Sequence, residues 1–188
     1  MQNWYAPPLA SGATQHLKAE EIIALLRNGI STRATAMGPM AEVVFRSSSH
    51  LSAADAGVIA LYLQSLPVGE GTGKRASRAD PDLLARGAVV YGEHCAQCHG
   101  DQGEGAFPAY PALAGNPSVT NPVAANAIKA VLNGGFPPST AGNPRPFGMP
   151  SYTGRLSEMD IAAVLTYVRK SWGNDEAPVS TLDIERYR

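Results

Sequence analysis

The sequence predicts an all-α chain built from two related units, the first of them incomplete. Three observations carry this reading. Apolar residues recur at i, i+3, i+4 spacing, and no strand-like alternation appears. Two helical segments recur at a fixed offset. The second copy also has a front segment with no counterpart in the first, so the chain reads as a lopsided duplication.

In chain order, Ile22, Ile23, Leu25 and Leu26 give a short helix stopped by Asn28-Gly29. Ser52, with Asp55 three residues on, caps a longer helix whose apolar residues fall at 58, 59, 61, 62 and 63 before Pro67. Val68-Gly69-Glu70-Gly71-Thr72-Gly73-Lys74 reads as a flexible linker. A helical segment covers about 81–94. Ile128, Val131 and Leu132 then repeat the short helix and stop at Asn133-Gly134. Ser157 and Asp160 repeat the cap, with apolar residues at 161, 164, 165, 167 and 168 before Gly173. The differences 156 − 51, 160 − 55 and 167 − 62 are all 105. A Pro-then-Leu turn, Pro8-Leu9 and Pro111-Ala112-Leu113, is a third matching pair. The expected division is an incomplete unit at 1–67, a linker at 68–79, a complete unit at 80–174 and a tail at 175–188. The polar tail is expected to pack as an extended arm or to fray.

The chain has 188 residues, 44% of them hydrophobic, enough for a core. Charged residues make up only 16%, and Gly (19) and Pro (15) are abundant, so loops should be extensive. A net charge of −1 gives no reason to expect nucleic acid or an anionic membrane surface as partner. No run of about 18 apolar residues is present, so no membrane span is expected. The N-terminal residues Met1 to Pro8 have neither a basic nor an apolar signal region.

The two cysteines, Cys95 and Cys98, are followed at once by His99. Cys-x-x-Cys-His is the attachment signature of c-type haem. Thiols one helical turn apart can each reach a vinyl group on one macrocycle edge, and the next residue aims its imidazole at the iron. His99 Nε2 is the expected proximal ligand, with Nδ1–H left for a backbone carbonyl. A thioredoxin-like redox pair would need a βαβ context, and a zinc site four ligands. Met149, in the loop Phe147-Gly148-Met149-Pro150, is the expected sixth ligand. Met opposite His raises the reduction potential and closes the iron to small molecules. Met159 competes, but its place inside the last helix suits packing.

Other residues have weaker claims. Pro111 and Leu113 are candidates for the proximal wall. Tyr110, Tyr152 and Trp172 are candidates for the macrocycle edge or a propionate, with ordinary core packing as the alternative. Arg145 either pairs with a propionate or is solvated. His94 is expected to face solvent, and His16 and His50 have no partner marking them as ligands. Met40, in Met37-Gly38-Pro39-Met40, holds the place of Met149 in the first copy. Taken alone it reads as a core residue. Taken with the repeat, it reads as an axial ligand of a second haem whose attachment motif lies upstream of residue 1.

Nearly the whole chain resembles a known family. The residues from about 81 to 188, with His94-Cys95-Ala96-Gln97-Cys98-His99-Gly100, Tyr110-Pro111-Ala112-Leu113-Ala114-Gly115-Asn116, Met149-Pro150 and Ser171-Trp172-Gly173-Asn174, are similar to the last cytochrome c domain of multihaem subunits. Met37 to Val44, with Ser49-His50-Leu51, resembles their middle domain. Such subunits serve periplasmic alcohol, gluconate, sorbitol and aldehyde dehydrogenases. The resemblance implies an electron carrier, not an enzyme in its own right. It would take electrons from a dehydrogenase catalytic subunit and pass them to quinone or a terminal oxidase. It also implies a periplasmic location and hence an export signal, so the sequence is expected to be part of a longer protein. Family members usually have three haem motifs where this chain has one. An alternative from a different class is a haem enzyme of the dihaem peroxidase or thiosulfate-oxidising kind, with an open or His/Cys-ligated iron. A third is a first unit that serves purely as an interaction surface.

Overall fold

The computed structural model describes residues 4–9, 17–67 and 77–188. His16 and most of the expected linker lie outside them. Among the described residues there are helices and isolated backbone bridges but no strand. The first unit has α1 (Ala19–Asn28), α2 (Pro39–Arg46), a 3-10 turn (Ser48–His50) and α3 (Ala53–Ser65). The second has α4 (Pro81–His94), α5 (Ala96–His99), α6 (Ala125–Asn133), α7 (Glu158–Lys170) and α8 (Thr181–Tyr187).

Local chemistry sets the ends of these helices. Ser52 Oγ accepts from Asp55 N–H to start α3, and Ser157 Oγ accepts from Asp160 N–H to start α7, both at 3.1 Å. Pro81 opens α4, where its missing N–H costs nothing. Gly29 (φ +76°) and Gly134 (φ +61°) end α1 and α6 in conformations that L side chains avoid. The repeat is exact for α3 and α7: 158 − 53 and 170 − 65 both give 105.

In the second unit α4 crosses α7, and Gly87 makes the crossing possible. A Cβ there would lie 2.2 Å from the Ala163 carbonyl oxygen. Val90 and Tyr91 of α4 pack with Val164 and Val168 of α7. A second cluster joins Ile128 and Leu132 of α6 to Ile161 and Leu165 of α7 and to Val179 and Ile184 near the C-terminus. The smaller core of the first unit holds Leu17, Ile22 and Ala60.

The units touch directly. Tyr5 N–H donates to Asn126 Oδ1 (2.9 Å), and Asn126 Nδ2 donates back to Tyr5 O (2.8 Å). Thr140 Oγ1 donates to Asn28 O at 3.1 Å.

The C-terminal residues correct the expected arm. Ser180 and Asp183 form a capping box for α8, and Ile184 is fully buried. Arg169, 1% exposed, holds this end in place. Its guanidinium donates to the carbonyls of Val119 (2.7 Å), Asn121 (2.8 Å) and Ala177 (3.1 Å). Residues 175–188 are therefore a packed element of the second unit.

Candidate haem site

Helix α4 delivers the chain to Cys95, whose N–H closes the helix on Tyr91 O at 2.9 Å. One further turn, α5, carries Cys98 and His99. Both thiols are free, and both residues are partly buried. Burial pushes the Cys95 thiol up to about 11, and the neighbouring Cys98 pushes it the same way.

One contact fixes the His99 ring. Its Nδ1 lies 2.9 Å from Pro111 O, which leaves Nε2 as the nitrogen that could take a metal. Burial lowers the imidazole pKa, partly opposed by the Pro111 carbonyl, and so favours the neutral ring that a metal needs. The loop that brings Pro111 here is tightly wound. Gly105 N–H donates to His99 O (2.7 Å), and Leu113 N–H donates to Gly103 O (2.7 Å). Tyr91 Oη donates to Gly100 O at 2.5 Å.

Met149 lies in a loop stitched to the C-terminal end of α6. Its N–H donates to Gly135 O (2.8 Å), and its carbonyl accepts from Gly135 N–H (2.9 Å). Two contacts bring this loop to the His99 side. The Phe147 and Tyr110 rings lie 5.5 Å apart, and Tyr152 Oη donates to His94 O at 2.7 Å. Two ligatable thiols, an oriented neutral imidazole and a loop thioether on a neighbouring element fit a covalent haem c. Among the described residues, no three His, Cys, Asp or Glu side chains converge as another metal site would require.

The other candidates fall differently. Pro111 supplies a carbonyl, and Leu113, like Cys95, packs against the α4–α7 core. Trp172 is a core aromatic: its ring lies 5.0 Å from Tyr91 and 5.6 Å from Tyr167 and covers Gly103. Tyr152 spends its hydroxyl on the His94 carbonyl. Arg145 and His50 are exposed, as is His94, whose Nε2 lies 3.8 Å from Glu93. Met159 is exposed on the first turn of α7, not packed as its spacing suggested. Met40 is also exposed, in the first turn of α2, which overturns its reading as a core residue.

Sequence reasoning gave no role to Tyr91, Phe136, Phe147 or Asn174. Phe136 leans over Gly148, beside Met149. The Asn174 amide accepts from Gly115 N–H and donates to the Leu113 and Val168 carbonyls, which locks the proximal loop to α7. Its place in the Trp172-Gly173-Asn174 run was the available signal.

Residues 84–172 match the family model for Cytochrome c. The whole chain is 34% identical to the cytochrome c subunit of an alcohol dehydrogenase (quinone) from Gluconobacter oxydans (strain 621H), covering 42% of that protein. Over 90% of its length it is 32% identical to the gluconate 2-dehydrogenase cytochrome c subunit of Pantoea cypripedii, covering 41% of it. It is 27% identical to the fructose dehydrogenase cytochrome subunit of Gluconobacter japonicus, covering 44%. The chain thus spans less than half the length of these relatives. Residues 84–172 are a cytochrome c domain, and such a domain carries covalently bound haem c.

Proposed function

We propose that this cytochrome c chain carries electrons, outside the cytoplasm, from a dehydrogenase catalytic subunit toward a quinone or terminal oxidase. The observation that supports the reading is His99, half-buried, its Nδ1 held 2.9 Å from Pro111 O and its neutral form favoured by burial. When bound, haem c supplies a one-electron ferric/ferrous couple. Cys95 and Cys98 would hold it through thioethers, and His99 and Met149 would supply its iron ligands. The protein's part would then be to set the potential and present the haem edge to a partner. The resemblance to dehydrogenase cytochrome subunits supports the choice of partner.

The haem-to-protein ratio and ligand-field spectrum of the oxidised protein test this. His/Met ligation that Met149→Ala abolishes is expected. An open or bis-His iron with peroxide turnover would favour the haem-enzyme alternative and overturn the carrier reading.

A second reading concerns the first unit. We infer that residues 1–67 are an incomplete cytochrome c-like domain in which Met40 ligates a second haem, its attachment motif lying upstream of residue 1. One face of α3 favours this. Val58, Leu61 and Tyr62 are 68%, 65% and 61% exposed. At the 105-residue offset they match Ala163, Thr166 and Tyr167, and α4 crosses α7 at Ala163 and Tyr167. An α4-like helix leading into a Cys-x-x-Cys-His segment fits that bare stripe. Intact mass of the protein isolated from its host tests the idea. Two haems on one polypeptide support it; one haem on a chain no longer than this one overturns it.

A further inference from the structure

We propose that Tyr152 is a positioning residue whose hydroxyl clasps the Met149 loop to the haem-attachment segment and keeps the methionine on the iron. The inference rests on the reading of Met149 as the sixth ligand.

The residues around Met149 are anchored almost wholly to α6. Met149 pairs with Gly135. Tyr152 N–H donates to Val131 O (3.0 Å), and Ser151 Oγ (2.5 Å) and Thr153 Oγ1 (2.7 Å) both donate to Leu132 O. None of these bonds resists movement of the loop away from Cys95–His99, because none reaches that segment. The Tyr152 Oη to His94 O bond does, at 2.7 Å, one residue before the first attachment cysteine. Among the described residues, no other hydrogen bond joins 147–153 to 94–100. The Tyr152 ring also meets the His94 ring edge-on at 6.1 Å. The Tyr110–Phe147 stack spans the same gap, but a ring contact slides where a hydrogen bond fixes distance and direction. A thioether on a loop is a ligand that an added base can displace. The cost of opening the loop then sets how readily that happens.

The test uses the haem-loaded protein with imidazole as probe, since imidazole competes with a methionine for ferric iron. Tyr152→Phe keeps the ring and removes only the clasp. It is expected to bind imidazole about five-fold more tightly than the unmutated protein, the equivalent of one ordinary hydrogen bond. Haem content should stay within error, and the melting temperature should fall by no more than the loss of that one bond allows, a few degrees at most. Tyr167→Phe serves as the control and should match the unmutated protein. Met149→Ala separates the two ideas. If it leaves imidazole affinity and the ferric spectrum unchanged, the ligand assignment fails and the clasp with it. If it abolishes the Met signature while Tyr152→Phe binds imidazole like the unmutated protein, the clasp alone is overturned. A second measurement needs no variant. In the ferrous protein, the Tyr152 hydroxyl proton should exchange more slowly with solvent than that of exposed Tyr62. Equal exchange would also overturn the proposal.

Discussion

Helices α3 and α7 hold the same place in their units but meet different surroundings. Each starts at a Ser cap backed by Asp, and each packs one face on a shorter helix, α3 on α1 and α7 on α6. Their back-reaching hydrogen bonds correspond as well. Gln64 donates to Leu17 O at 3.1 Å, and Arg169, 105 residues later, donates to the carbonyls of Val119, Asn121 and Pro122. The difference is the opposite face, which α4 covers on α7 and which is exposed apolar surface on α3. A helix apolar all round is one meant to be covered all round. The contrast shows that helix boundaries follow local chemistry, whereas the burial of a face depends on what the fold brings to it.

The largest expected effect comes from the crossing itself. Gly87→Val would drive a branched side chain into the Ala163 carbonyl and the Tyr167 Cβ. Neither backbone nor Cβ can move aside cheaply, so destabilisation of at least about 3 kcal/mol is expected. Denaturant unfolding and haem yield both report it. Gly57, in α3, gives the opposite sign. A Cβ there meets nothing within 4 Å, so Gly57→Ala should stabilise its helix by up to about 1 kcal/mol. A loss from Gly57→Ala would mean that the two helices are covered alike.

Next in size is the pair Arg169 and Gln64. Arg169→Ala leaves the buried Val119 carbonyl and the part-buried carbonyls of Asn121 and Ala177 without this donor and opens a cavity, at a cost of about 3 kcal/mol. Gln64→Ala gives up one partly buried bond, worth about 1 kcal/mol. Hydrogen exchange resolved by helix can assign each loss to its own unit. Equal losses would break the view that the second unit alone is organised around a buried cation.

Much of this was legible in the sequence. Covalent haem attachment demands residues close together in sequence, so the Cys95, Cys98 and His99 motif can be read without a structure. Ser52/Asp55 and Ser157/Asp160 mark helix starts because a cap needs its partner three residues away. The same signal stands at Ser180 and Asp183, yet the polar run around it hid α8 behind an expected arm. The destinations of long side chains were not legible. Tyr152 meets a carbonyl 58 residues away, Arg169 meets carbonyls that converge only in three dimensions, and Trp172 turns to Tyr91. Periodicity places a residue on a face and does not say what that face will meet.

The first unit also holds a carboxylate with no counterpart in the second. Glu21 is buried and receives Arg33 Nη2 at 2.7 Å, Arg33 Nε at 3.0 Å and Thr32 Oγ1 at 2.9 Å. The Arg33 hydrogen bonds lower its pKa from 4.5 to about 2, against the opposing effect of burial. A folded pKa below the unfolded one stabilises the fold above the unfolded value, and that contribution fades as pH falls from 4.5 toward about 2. Because Arg33 is partly exposed, screening limits it to about 1–2 kcal/mol. Glu21→Gln should flatten the acid dependence of exchange in α1 and α3 while leaving α7 unchanged. A parallel change in α7 would show that the units unfold as one.

The smallest expected effect is the most discriminating. In the 188-residue chain, Val58→Lys and Tyr62→Lys should each change stability by no more than about 0.5 kcal/mol, since both positions are solvent-facing. Lysine at the matching Ala163, fully buried beneath α4, should unfold the second unit. If an α4-like helix covers α3 in the protein isolated from its host, the two α3 substitutions become costly there, and loading of a second haem should fall with them. Differential scanning calorimetry with haem quantification on both forms separates the cases. A null effect in both would leave α3 as a surface with no helix to receive, and the likeness between the two units would end at their shared caps.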